Sequence, residues 1–537
     1  MKKKAPALVR IAQTATIFIA LGATQAGFSQ SDSTRTKGPS ASLPNLGDGS
    51  AMAPSAERRL GDRIARELYR DPDYVDDPVI MDYVQGIWQP LLVAARLRGE
   101  LPPELDETYA WELLLGRDRS VNAFALPGAY FGLHLGLVGV VASRDELASV
   151  LAHELSHVTQ RHISRLIARQ SEQAPWLMGA MILGVLAASK SPNAAQAAIV
   201  GGQAVAAQGQ LNFSRDMERE ADRVGFGVMT EAGYEQQGFV GMFEKLQQAS
   251  RLNDAGNFPY LRSHPLTTER MADMQARMGS TNAATPASQP KPFTGNAWVH
   301  AMVAARARVL SNQAVEALRV WAVQAESKLL TRQLPPQQAG VLYGATLAAI
   351  KQRDFGAALA LWARLGQAVR DDAAASPMVR LLGAELWLAQ GDGKQALALL
   401  QDVPGAKSLG KDADTGAAPA RSRAELLLWA QAAVQSGQAR VVTQALQTWV
   451  ADHPRDAQAW QLLSSAHAAQ RQVLSSIRAE AEASVAHLDY AGGLARLRAA
   501  QDLVRTGAAV ADHFEASILD TRTRQLQLLV REQALER

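Results

Sequence analysis

The chain contains no cysteine in its 537 residues. Disulfides, thiolate metal ligands and lipid attachment to an N-terminal cysteine are therefore excluded, and any metal must be held by imidazole and carboxylate. An excess of one charge is missing too: 55 Lys and Arg face 52 Asp and Glu, a formal net charge of +3. That balance offers nucleic acid no basic footprint. Apolar runs are short. Trp176–Ala188 is a stretch of 13 residues, below the roughly 18 to 20 that cross a bilayer, and reads as a buried or hinged helix pair able to act as a lid.

What the chain does have is length and an apolar content of 47%, enough for two or three domains. Its first residues place Lys2, Lys3, Lys4 and Arg10 around the start of an apolar run, Ile11–Ala23, which closes on Thr24, Gln25 and Ala26. This is the layout of a secretory signal peptide cleaved near Ala26, with an uncleaved anchor as the alternative. Cleavage removes four basic and no acidic residues, taking the formal charge from +3 to −1. Residues 27–56, rich in Ser, Gly, Pro and Thr without periodicity, read as a flexible leader.

Helical spacing over Glu57–Tyr69 and Val79–Leu97 gives way to strand character at Tyr109–Leu115 and Asn122–Leu126. Pro127 and Gly128 turn the chain, and Tyr130–His134 offers a hairpin partner. Asn122, Ala123 and Phe124 would then lie on a strand just ahead of the most informative string in the sequence. An exposed edge there can pair with an extended peptide; the alternative is a strand that only builds core.

That string is His153-Glu154-Leu155-Ser156-His157. Two imidazoles four residues apart on a helix share one face and can share one Zn²⁺, while the intervening Glu stands beside the metal's open position as a general base. The helix itself is well specified. Ser143 to Glu146 form a capping box, and Leu147, Val150, Leu151, Leu155 and Val158 recur at helical period.

A catalytic zinc needs a third protein ligand. In motifs that supply a third His, a Gly and a His follow at fixed offsets, but Gln160 and Ile163 occupy those places here. His162 is one residue off, on a different face of a continued helix, and reads as a surface residue or a neighbour of the ligands. Downstream, Glu218 and Asp222 stand at i, i+4, with Ala221 permitting close packing. Glu218 can ligate while Asp222 accepts a hydrogen bond from a ligand His and fixes its tautomer; Glu220 is a competing ligand.

Ser280–Gly295, with prolines at 286, 290 and 292, reads as a linker. Beyond it, Ala, Leu, Gln and Arg recur at helical period. Leu342–Leu365, Leu381–Leu400 and Leu426–Leu446 are self-similar, each broken by a short polar turn, and a further unit opens at His453 and Pro454. The pattern resembles tetratricopeptide repeats stacked into a solenoid over residues 297–537, with a plain helical bundle as the alternative. Lys407–Pro419 reads as an inserted loop.

Four blocks together resemble one family: Val121–Gly128, His153–His157 with Arg161 and His162, Glu218–Asp222 followed by Gly225, and Ser263–Leu266 with Glu269 and Arg270. These are similar to the Glu-zincin metallopeptidases, which pair HExxH with Glu-x-x-x-Asp, and within them to secreted bacterial members that carry a C-terminal tetratricopeptide array. The resemblance implies a mainly α protein, with an α+β zincin-type domain and small β-sheet over residues 57–279, then an all-α repeat domain. It implies one Zn²⁺ on His153, His157 and Glu218, with Glu154 as base. His264 would rest at the metal's open position or, with Arg270, stabilise the oxyanion. It further implies a periplasmic endopeptidase for misfolded or misassembled envelope proteins, whose tail engages clients or the machinery that assembles outer-membrane β-barrels. The rival reading is a periplasmic chaperone or scaffold whose proteolysis is secondary. Ala129 departs from the family, which commonly has a second Gly there.

Overall fold

Proline opens both of the first two helices, at positions where its missing N–H has no intrahelical partner to lose. In this computed structural model α1 spans Pro54–Arg70 and α2 spans Pro78–Leu97, the latter capped by Asp77, whose carboxylate accepts from the Ile80 N–H at 2.9 Å. The structure describes residues 52–170, 214–251, 258–284, 297–401, 421–509 and 513–535. The signal peptide, nearly all of the leader, the Trp176–Ala188 stretch, the linker past residue 284 and the 407–419 insertion lie outside the described residues.

The short helix α3 (Pro103–Thr108) leads into a four-stranded sheet. Its strands are β1 (Tyr74–Val75), β2 (Glu112–Gly116), β3 (Ala123–Leu126) and β4 (Tyr130–His134), in spatial order β1-β2-β4-β3. The hairpin expected from the sequence is present, Leu126 facing Tyr130 and Ala123 facing Leu133. The hairpin also inserts β4 beside β2 in parallel register, Glu112 against Tyr130, a pairing that strand spacing alone does not reveal. Because β4 takes the inner place, β3 is left at the sheet edge.

The hairpin tip demands an unusual backbone of two successive residues. Gly128 and Ala129 both have left-handed backbones, φ +71° and +59°, a region that costs a residue with a Cβ roughly 1–2 kcal/mol. Ala129 adopts it anyway, fully buried, with its carbonyl accepting from the Glu112 N–H at 3.0 Å.

After β4 come α4 (Leu135–Val140), α5 (Arg144–Thr159) and α6 (His162–Gln170), then α7 (Arg215–Glu231), α8 (Gln237–Arg251), α9 (Tyr260–Ser263) and α10 (Thr268–Ala284). α5 runs through the middle, covered by α2, α7, α8 and strand β3. Its burial on all sides follows, and so does the tight approach of α7, where a Cβ on Gly225 would come within 3.0 Å of the Ala152 carbonyl.

The remaining elements among the described residues are helical. α11 (Ala297–Ser311) packs on α2 and α4. Helices then pair at Pro335–Gln352 with Phe355–Ala368, Ser376–Gln390 with Gly393–Gln401, and Arg423–Gln435 with Arg440–Asp452. Each predicted break is a turn, with Arg353, Gly391 and Gly437 in left-handed conformation. Ala345, Ala384 and Ala430 are buried where helices meet.

This array packs directly onto the sheet-bearing region, and the described residues form one compact unit. Arg306 holds Asp77 through two bonds of 2.8 and 2.7 Å, and Arg423 holds Asp76 through two of 2.8 Å. Further along, the Arg66 Nε donates to the Leu488 carbonyl at 3.0 Å. Among the described residues no helix is long and apolar enough to cross a membrane.

Candidate metal centre

Helix α5 is fixed before any metal is considered. The Ser143 hydroxyl accepts from the Glu146 N–H at 3.1 Å, and the Glu146 carboxylate returns to accept from the Ala142 N–H at 2.6 Å, one residue upstream of the standard capping box. Leu147, Val150, Leu151, Leu155 and Val158 are all in the core. The helix therefore presents His153, Glu154 and His157 at a single buried place.

α7 brings the carboxylates. Ser214 caps it, and the i, i+4 spacing aims Glu218 and Asp222 at α5. His264, just past α9, completes the group, its ring stacked on Tyr260 at 4.5 Å. One ligand atom each from His153, His157, Glu218 and His264 lie within 4.8 Å of one another. The two HExxH Nε2 atoms are 3.0 Å apart, and the Glu218 oxygens stand 3.5 Å from His153 Nε2 and 3.4 Å from His157 Nε2. His264 Nδ1 is 3.3 Å from His153 Nε2 and 3.0 Å from Glu218 Oε1.

Around these four, the neighbours are specific. His153 Nδ1 lies 3.0 Å from Asp222 Oδ1, at hydrogen-bond distance although off-line in angle. Arg270 Nε and Nη2 donate to both Asp222 oxygens at 2.6 and 2.8 Å. Its Nη1 donates to the Pro265 carbonyl and lies 2.8 Å from Glu218 Oε2. Arg270 thus contacts both carboxylates, an arrangement that holds them in place. Glu220 faces away from the cluster and pairs with Arg165 and His162, so it is Glu218 that joins the histidines.

His162 is not on the continuation of α5. Arg161 takes a left-handed backbone, φ +54°, and the chain turns into α6. That turn buries His162 completely and sets its Nδ1 2.9 Å from His157 Nδ1.

Electrostatics follow from burial and proximity. Burial pushes the His153 imidazole down, but Asp222 and Glu218 outweigh it and hold it up at about 9. Burial, with positive His153 nearby, pushes His157 well below the usual imidazole range. For Glu218 burial raises the carboxyl, while His264 and His153 reverse this and hold it well below the carboxylate range. Two imidazole nitrogens and a carboxylate oxygen converging in a buried site are the donor set of a catalytic zinc, and both Glu154 oxygens are buried without making a hydrogen bond. The residues fit a divalent metal, which would bind neutral imidazole and displace the proton from His153.

Residues 99–278 match the description "Peptidase family M48". The chain carries a peptidase family M48 domain. Within the curated relatives, it is 34% identical to the putative beta-barrel assembly-enhancing protease of Vibrio cholerae over 237 residues, 44% of this chain and 47% of that protein. It is 28% identical to the beta-barrel assembly-enhancing protease of Escherichia coli over 495 residues, 90% of this chain and 92% of that protein. A third relative, the mitochondrial metalloendopeptidase OMA1 of Saccharomyces cerevisiae, is 26% identical over 206 residues, 37% of this chain and 56% of that protein. The chain thus spans about half the length of the Vibrio protein and nearly all of the Escherichia one. An M48 domain is a metallopeptidase domain, which implies a metal cofactor, and the His/Glu cluster is compatible with holding one.

Two contributors to this M48 site were not read from the sequence. Tyr260 stacks on His264, four residues away across one helical turn, a spacing that was there to be noticed. Phe243 of α8 lies beneath the Arg270 guanidinium at 5.3 Å, a contact made between helices that no local pattern signals.

Proposed function

We propose that the chain is an exported zinc endopeptidase that cleaves misfolded or misassembled envelope proteins, with the helical array engaging clients or the machinery that assembles outer-membrane β-barrels. The convergence of His153, His157 and Glu218 on one point beside buried Glu154 carries the reading. The names of the Vibrio and Escherichia relatives support the choice of client.

A Zn²⁺ held by His153, His157 and Glu218 would lower the pKa of a bound water toward neutrality and polarise the scissile carbonyl. Glu154, buried and with its oxygens making no hydrogen bond, takes the proton of the attacking water and delivers it to the leaving amine. Arg270 and Asp222 orient Glu218 and His153 from behind. His264, 3.4 Å from Glu154 through its Nε2, stands over both the base and the ligands and keeps the resting site covered. Substrate is held by β3, where Ala123 and Phe124 lie on the sheet edge and Asn122 precedes them, pairing with an extended chain through main-chain bonds. Such pairing reads backbone more than side chains, which suits unfolded clients. The helix pairs with left-handed turns form a tetratricopeptide-like solenoid on this reading.

The test is metal analysis of the purified full chain together with hydrolysis of casein and of an unfolded outer-membrane barrel protein. One zinc per chain and cleavage abolished by a chelator are expected. Client binding with neither zinc nor cleavage would assign the chain to the chaperone or scaffold class.

A further inference from the structure

The two HExxH histidines are backed differently. His153 Nδ1 faces the Asp222 carboxylate, while His157 Nδ1 faces the Nδ1 of a second imidazole, His162, at 2.9 Å. We propose that His162 is a positioning residue that fixes the tautomer of His157 by accepting its Nδ1–H, and that Glu220 in turn fixes His162. The inference rests on the metal reading above.

Donor and acceptor logic carries it. If His157 offers the Nε2 lone pair to the metal, the proton of its neutral ring sits on Nδ1, and that N–H is buried and needs an acceptor. His162 can accept only through an unprotonated Nδ1. Its own proton is then on Nε2, which lies 3.0 Å from Glu220 Oε2. Glu220 is held in turn by the Arg165 Nη2 at 2.7 Å. With His157 Nε2 given to the metal, a proton on His162 Nδ1 would set two N–H groups face to face at 2.9 Å, and the reversed bond, His162 donating to His157, would put a proton on His157 Nε2 and turn the bare His162 Nε2 toward the Glu220 carboxylate. The backbone is bent to allow this contact: the left-handed turn at Arg161 swings His162 back to His157, where a continued α5 would have carried it away. Arg161 is kept there by the Glu57 carboxylate, 3.3 Å from its Nη2, and by the Ser164 hydroxyl at 3.1 Å.

Such supports typically govern metal affinity by roughly 10–100-fold. The test is zinc affinity of the full chain by chelator competition, alongside the thermal midpoint of the metal-free protein. His162→Leu keeps bulk and removes the acceptor, and is expected to weaken zinc roughly 10–100-fold. His162→Asn places an amide oxygen where Nδ1 was and should stay within about threefold of the parent. Equal affinities for parent and His162→Leu, or equal losses for both variants, overturn the proposal. Should His162→Leu fail to fold, long-range ¹H–¹⁵N spectra of the zinc-loaded parent decide: protons on His157 Nδ1 and His162 Nε2 support the relay, and any other pair of tautomers rejects it. A parent that binds no zinc refutes the metal reading instead, a result distinct from these.

Discussion

Arg270 grips Asp222 through two hydrogen bonds, Nε to Oδ2 at 2.6 Å and Nη2 to Oδ1 at 2.8 Å, with both side chains almost wholly out of solvent. Asp222 would be raised by burial alone, yet the guanidinium holds it below the usual carboxylate range. Removing Arg270 leaves Asp222 and Glu218 as neighbouring buried anions behind His153. Arg270→Ala should therefore cost about 3–5 kcal/mol of stability and weaken zinc, as read by urea unfolding and metal content. Arg270→Lys should recover little, because an ammonium cannot make the parallel pair. A lysine variant as stable as the parent would show that charge alone, and not the fork, supports the site.

Glu154 lies beside His264, 3.4 Å from its Nε2, but is not among the four residues that could hold a metal. Glu154→Gln keeps shape and removes the base. Zinc content should be unchanged, and proteolysis should fall by on the order of 10²–10⁴. Retained cleavage by the purified variant would remove Glu154 from the mechanism.

His264 touches ligand and base at once, 3.0 Å from Glu218 Oε1 and 3.4 Å from Glu154 Oε1. On the proposed reading, a side chain so placed covers the position that water and substrate need. His264→Ala should raise basal hydrolysis of an unfolded substrate severalfold while zinc stays bound by the other three residues. Lower activity would assign His264 to stabilising charge in the transition state.

Periodicity and capping made most of the helices legible, because α5 and the array declare themselves through Leu, Val and Ala at helical spacing. Of the four residues that converge, His153, His157 and Glu218 were picked out for the same reason, because i, i+4 spacing is a local property of helices, while His264 came only from the family resemblance. Contacts between distant elements were not. The parallel β2–β4 register, the place of His162 behind His157 and the bidentate hold of Arg306 on Asp77, 229 positions away, arise only when the chain closes on itself. Arg270 shows the limit most clearly, since the sequence brought it to the site but could not tell that its donors point at Asp222, Glu218 and Pro265.

One such closing contact carries a pH dependence. His300, on α11, donates from Nε2 to the Val141 carbonyl at 3.0 Å and accepts at Nδ1 from the Tyr83 hydroxyl at 2.7 Å, tying the array to the residues just before the α5 cap. Burial holds its pKa below the ordinary 6.5, against the pull of the Val141 carbonyl, Glu146 and Asp145 and with Lys245 adding to the depression. The unfolded chain takes up this proton as pH falls through 6.5, while the folded chain does not until lower pH. Stability from neutral His300 is thus complete above that value and declines as pH falls from it toward the folded pKa. His300→Gln lacks the titration, so the stability gap between parent and variant should narrow from about pH 7.5 to about pH 5.5 in urea unfolding. Because the other histidines titrate in both proteins, the gap isolates this one. Parallel curves for the two would show that the α11 contact does not sense pH through His300.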